Sequence, residues 1–394
     1  MDPDLIFSEL LTGEGTGLIL IGLAVAFLVA LFLALSAGWF RIILSIASFS
    51  YPSARVRAIG NSLVTREGAL EISGASDLLD LFERAERLGH TISYREGISA
   101  DDTERLIRSY HYTMLKTLAE TVPDSIRPLI YGYIRIYQTR EVIFILRSIA
   151  GGLPKDQIEM RAVPIGSLTH SAIRKAAYAV TVEEAVTRLY RVGIEPRIRD
   201  IWTKFGEQSG FAAFESALVS DAYSSLMMAA RGIEDSQYEP AVLMTGRMID
   251  CENLRTLVRG RLRGMDGSDL MPFLIQPGGF EIRDDMLREL ARTTDLADLV
   301  TAIRETAYGP YLEPSLEKVR DTHDPGLIEI GLSQCMLAIG RMISSQYHLG
   351  GGPVIRYLVS LQLECENLRA VAAGIRLGVS PDAIKDLMVM EADV

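Results

Sequence analysis

The feature that most constrains this chain is a repeat. Asp250-Cys251-Glu252-Asn253-Leu254-Arg255 returns 114 residues later as Glu364-Cys365-Glu366-Asn367-Leu368-Arg369, and in both copies a glycine follows at the same distance, Gly264 and Gly378. A weaker copy starts at Gln138 and runs through Glu141, Val142, Leu146 and Arg147 to Gly152. These residues match Asn253, Leu254, Val258, Arg259 and Gly264 at an offset of 112. Two further landmarks keep the period. One is Asp77-Leu78 with Asp80-Leu81, then Thr181-Val182 with Glu184-Ala185, then Asp295-Leu296 with Asp298-Leu299; the other is Glu104, Glu215 and Glu329. A chain with this self-similarity builds its core from like units that bury one another's apolar faces.

The 344 residues from Tyr51 to Val394 hold three such periods. The Asn-Leu-Arg element precedes the Asp-Leu element by 45 residues, yet the chain opens with the second and ends with the first. Two half-units at the ends should therefore complete each other. The expected organisation is an extracytoplasmic tail (1–16), a transmembrane helix (17–39), a first half-unit with connecting helices (40–137), a second repeat unit (138–249) and a third (250–363). A C-terminal half-unit (364–394) would then close against residues 51–94. An open solenoid would need polar caps at both ends, and the C-terminal helix is too apolar to serve as one.

The units read as helical. Leu358, Leu361, Cys365, Leu368, Ala372 and Ile375 alternate spacings of three and four, which lines them along one helix stripe, and Val142, Ile145, Leu146 and Ile149 do the same. Ser380-Pro381-Asp382 reads as a helix start, while Gly151-Gly152 and Gly350-Gly351-Gly352 read as stops. No run keeps the period-two alternation of a strand. The fold class expected is all-α, with three pseudo-threefold helical repeats closed into a funnel and one transmembrane helix before them.

From Gly17 to Phe40 there is no charged residue, and Leu18 to Ala37 gives the roughly 20 apolar positions needed to cross a hydrocarbon core about 30 Å thick. Asp2, Asp4, Glu9 and Glu14 precede this run and Arg41, Arg55, Arg57 and Arg66 follow it. The positive-inside rule then expects a single-pass protein of the cell membrane, N-terminus outside and body on the cytoplasmic side. Within the run Gly22, Ala26, Ala30, Ala34 and Gly38 recur every fourth residue, a face on which another membrane helix could pack closely.

A net charge of −11 argues against a general polyanion binder, so no nucleic acid partner is expected. The basic residues are 34 Arg and 6 Lys, a bias toward planar multidentate donors that suit fixed carboxylate pairing. Cys251, Cys335 and Cys365 form neither an even set nor a C-x-x-C pair. No Gly-Lys dipeptide, complete G-x-G-x-x-G, H-E-x-x-H or G-x-S-x-G occurs, and the five histidines are scattered and read as surface or helix-end residues. No catalytic residue, metal or cofactor is expected. Asn253 and Asn367 fall mid-helix, where Asn is unfavourable. Two readings stay open: an interhelical hydrogen bond repeated in each unit, or a polar lining for a central cavity.

Taken together, the repeat over 51–394 and three local stretches resemble the C subunit of the archaeal-type (A-type) ATP synthase, a relative of the d subunit of the vacuolar ATPase. The stretches are Val258-Arg259-Gly260-Arg261-Leu262-Arg263-Gly264, Ile375-Arg376-Leu377-Gly378-Val379-Ser380-Pro381 and the opening Tyr51-Pro52-Ser53-Ala54-Arg55-Val56-Arg57-Ala58. The resemblance implies a non-catalytic rotor component of a rotary ATPase, working in ATP synthesis and hydrogen ion transport. Its partners would be the central stalk subunits, the membrane proteolipid ring and the lipid bilayer. Arg255, Arg259, Asn367 and Arg369 are then the candidates for the cavity or stalk-facing surface. A membrane helix departs from the family, whose typical members dock peripherally. The competing expectation is a membrane-anchored helical scaffold or sensor that binds cytoplasmic partners.

Overall fold

A computed structural model describes residues 13–206, 210–234, 236–322, 324 and 326–391. Most of the expected tail (1–16) lies outside the described residues. The chain divides into two compact units, Met1–Ser50 and Tyr51–Val394. Among the described residues every regular element is a helix, apart from one isolated bridge between Ile165 and Leu168.

In the first unit the described backbone belongs to α1, Gly13–Ile59. Many of its large apolar side chains, Leu20, Phe27, Phe32 and Phe40 among them, are exposed, while Phe49 is buried. Gly22, Ala26 and Ala30 are exposed on the same helix, and a Cβ added at Gly22 would meet nothing within 4 Å. The side-chain surroundings of Ala34 and Gly38 lie outside the described residues.

The membrane topology expected of residues 17–39 is overturned. Among the described residues one helix is long and apolar enough to cross a membrane, and it is Gly326–Gln346, far from the N-terminus. Its apolar window is 56% buried inside the protein, as in a core helix. The apolar helical stretch near the N-terminus is Leu20–Leu33. Freedom from charge does not by itself establish a span, and the helix that meets the length and hydropathy criteria among the described residues is the largely buried Gly326–Gln346. The single-pass localisation in the cell membrane, N-terminus outside and body cytoplasmic, falls with it.

The second unit is organised by six long helices: α2 (Ala100–Thr121), α3 (Arg127–Ala150), α4 (Phe211–Arg231), α5 (Tyr238–Leu262), α6 (Gly326–Gln346) and α7 (Gly352–Leu377). Their neighbour relations return to the start. α2 packs on α3, α3 on α4, α4 on α5, α5 on α6, α6 on α7, and α7 on α2. The expected stripes are the packed faces, with Leu358, Leu361, Cys365, Leu368 and Ala372 buried on α7 and Val142, Ile145 and Leu146 on α3. Short helices fill the connections, and apolar clusters form around Leu254, Leu299, Leu332 and Ile343 and around Leu146, Ile173, Leu189 and Phe214, among others.

Two of the sequence landmarks are local stereochemistry. The glycines that close the three copies, Gly152, Gly264 and Gly378, all take left-handed backbone, with φ of 72°, 71° and 66°. A side chain there is strained whatever the space, and glycine ends the helix without that cost. The Asp-Leu landmark is a helix start. Asp77, Thr181 and Asp295 accept from the backbone N–H of Asp80, Glu184 and Asp298 at 2.9, 3.2 and 2.8 Å. In two copies the third helical residue reaches back past the cap, Asp80 and Glu184 accepting from the N–H of Ser76 and Val180, the residue before it.

Candidate functional site

The buried polar residues of α3, α5 and α7 face the connections that follow them. Asn253 donates through Nδ2 to the Ile275 carbonyl at 3.1 Å and accepts from the Ile275 N–H at 2.7 Å. Asn367 repeats the clasp with Val389, again 22 residues on, at 2.7 and 2.8 Å. On α3 the same separation joins Glu141 to the Val163 N–H at 3.1 Å. Lacking an amide donor, Glu141 takes Arg108 and the Tyr112 hydroxyl instead. These partners are backbone groups of extended connections, not neighbouring helices. The two mid-helix asparagines thus serve a shared structural task, satisfying backbone that would otherwise be buried unpaired.

One turn earlier on the same helices stand Gln138, Asp250 and Glu364. Gln138 accepts from the Ser167 N–H at 2.8 Å and donates to Glu195 at 2.9 Å. Asp250 accepts from the N–H groups of Phe280, Glu281 and Ile282 and from the Tyr308 hydroxyl at 2.7 Å. Burial pushes its carboxyl above the usual range against the pull of those donors. Glu364 instead reaches the beginning of the unit. It accepts from the Leu63 N–H at 3.0 Å and Asn61 Nδ2 at 3.3 Å, and lies 3.4 Å from His90 Nε2. Asn367 Nδ2 adds a bond to the Leu63 carbonyl at 2.8 Å, and the Glu391 N–H donates to the Val64 carbonyl at 2.8 Å. Residues 364–391 are therefore sewn to residues 61–90 through buried polar contacts. His90 and His111 are both buried, which corrects the expectation that the histidines sit at the surface or at helix ends.

The third landmark is electrostatic. Arg147 grips Glu215 with two bonds of 2.9 and 2.8 Å, Arg259 pairs with Glu329, and Arg369 reaches Glu104 at 2.9 Å. Each pair joins one of α3, α5 and α7 to one of α4, α6 and α2.

A polar cavity of about 300 Å³ is lined from α3, α5, α6 and α7, among others by Arg140, Glu252, Arg255, Arg259, Glu329 and Glu366. Asn367 borders it too, but its amide is almost fully buried and committed to the clasp. Of the four candidate partner-binding residues, Arg255 and Arg259 line this cavity. Arg255 is held by Glu252 at 2.7 Å. Arg369 lines an adjoining hollow of about 380 Å³ with Glu104, Arg108 and Arg140. Sequence reasoning missed Arg140, Glu252 and Glu366 as a set. The signal was available: the offsets of 112 and 114 that align Glu141, Asn253 and Asn367 also align these three. A further cavity, of about 1030 Å³, runs between α2, α3 and the connection 163–170.

A family model described as ATP synthase (C/AC39) subunit matches residues 52–387. The chain belongs to this family. Among its relatives, the A-type ATP synthase C subunit of Methanothermobacter thermautotrophicus is 24% identical over 349 residues, covering 88% of this chain and 89% of the relative. That of Methanocaldococcus jannaschii is 22% identical over 355 residues, 89% and 88% of the two chains. That of Methanobrevibacter smithii is 23% identical over 379 residues, 96% of each. Membership assigns the chain a non-catalytic accessory role rather than an enzymatic one.

Proposed function

We propose that this protein is the rotor coupling component of an archaeal-type rotary ATP synthase, seating the central stalk on one side and the membrane proteolipid ring on the other. The body would be a pseudo-threefold funnel, its half-units at 51–94 and 364–394 completing a third unit. The observation that carries the reading is the return of α7 onto α2 and onto residues 61–90. A part that transmits torque has to resist shear at every joint. A row of helices with two free ends yields at its ends, whereas a row whose last helix is bonded to its first has none.

The polar cavity lined from α3, α5, α6 and α7 is the seat proposed for the foot of the stalk, with Arg255 and Arg259 on its wall and Arg369 in the adjoining hollow. Asn367 would hold the wall in place without touching the partner. Electrostatic complementarity of this kind fixes register and partner choice more than raw affinity. The test is isolation of the tagged full-length chain from its native membranes. Co-isolation with a proteolipid ring and an ATP-hydrolysing head is the expected result, and recovery of the chain free of both would overturn the reading.

A further inference from the structure

Arg140, Glu252 and Glu366 occupy the same repeat position on α3, α5 and α7, and all three line the cavity of about 300 Å³. A seat with the same charge at all three positions would offer a bound partner three equivalent settings a third of a turn apart. Here one position of three carries the opposite sign.

Two of these three charges are held only loosely by the protein. Among the described residues Arg140 makes no hydrogen bond. Its nearest carboxylate oxygen is Glu252 Oε2 at 3.9 Å, and that atom is already held by Arg255 at 2.7 Å. The Arg140 guanidinium lies over the Tyr137 ring at 5.4 Å, which gives it a direction, and its side chain is 44% exposed. Glu366 accepts from Gln362 at 2.9 Å and from Ser333 at 3.5 Å, with no cation within 4 Å among the described residues. Glu252, by contrast, is flanked by Arg255, Arg140 and Arg259, whose charges hold its carboxyl below the usual range although burial opposes them.

We propose that Arg140, set against Glu252 and Glu366, is an orientation key: it takes a carboxylate from the seated partner and so fixes that partner in one of three otherwise similar settings. The proposal rests on the coupling reading above and identifies the partner's contact chemistry, an acidic side chain on the foot of the central stalk. A guanidinium suits the task because it binds a carboxylate through two parallel bonds and so in one plane. Turning the partner by a third would bring that carboxylate against Glu252 or Glu366, a like-charge contact that rejects the wrong setting.

The test is calorimetric titration of the full-length chain with its purified cognate central stalk at two salt concentrations. R140Q should weaken binding at least tenfold and flatten its salt dependence. R140E/E252R keeps the net charge of the wild type but moves the cation to the neighbouring position, and it too should bind at least tenfold more weakly. Either variant binding with wild-type affinity overturns the key while leaving the coupling role standing. A wild-type chain that does not bind the stalk overturns both. Should the double variant fail to fold, R140Q decides alone, because a half-exposed side chain without hydrogen bonds can be shortened without unfolding the body.

Discussion

Asn367 and Val389 hold each other through two bonds, Nδ2 to the Val389 carbonyl at 2.7 Å and the Val389 N–H to Oδ1 at 2.8 Å. Asn253 does the same for Ile275. Replacing either asparagine by alanine strands a buried N–H and a buried carbonyl together. Each such loss costs about 2–4 kcal/mol in total, several times the net worth of one exposed hydrogen bond. N367A should cost more than N253A, because it also releases the Leu63 carbonyl. Urea unfolding of the two variants checks both the size and the order.

Glu364 joins the last long helix to the first residues of the body through Leu63, Asn61 and the neighbourhood of His90. E364A should therefore loosen two segments far apart in sequence at once. Hydrogen exchange would report it as faster exchange at the Leu63 and Glu391 amides, with the helix amides of α4 unchanged. E364Q keeps a carbonyl acceptor for Leu63 and should exchange closer to wild type.

The pair Arg147–Glu215 has good geometry but an exposed arginine, its side chain 68% accessible. Solvent screening and side-chain entropy leave such pairs at about 0.2–1 kcal/mol. R147A should accordingly shift the melting temperature only slightly. A large loss would mean that the Arg147–Glu215, Arg259–Glu329 and Arg369–Glu104 pairs act cooperatively rather than as three separate contacts.

His111 supplies the pH dependence. It is buried beside Tyr137, its Nε2 without a hydrogen-bond partner, and burial together with the charges of Arg369 and Arg140 lowers its pKa from 6.5 to about 3. Between those two values the unfolded chain binds a proton that the folded one refuses, so stability rises with pH across the window. The contribution is complete above the unfolded value and falls by about 2 kcal/mol on going to pH 5. H111L removes the titration, and its stability should vary less between pH 7.5 and pH 5 than that of wild type, measured by chemical unfolding.

Much of this is legible in the residues, some of it under the wrong description. The helix stripes, the helix start at Ser380 and the turn glycines are local consequences of spacing and backbone freedom, which sequence carries directly. The Asp77, Thr181 and Asp295 landmark is visible as a repeat, but its job as a cap shows only in the folded backbone. Glu141 is hard to equate with Asn253 because an acid fills an amide's place, with Arg108 and Tyr112 brought from α2 to replace the missing donor. The first forty residues mislead for another reason. The absence of charge from Gly17 to Phe40 reads as bilayer length, whereas among the described residues the long apolar helix is α6, part of the core. Burial of His90 and His111 depends on which helices meet, which no single segment encodes.

The seam between Glu364 and Leu63 spans 301 residues of chain. During synthesis the first helices leave the ribosome long before the strip that will cover them exists, and they must wait with the Leu63 amide unanswered. Contacts so distant in sequence form late and slowly. A nascent chain cut short in its last thirty residues or so would then be defective at its beginning as much as at its end, and quality-control proteases would find it there.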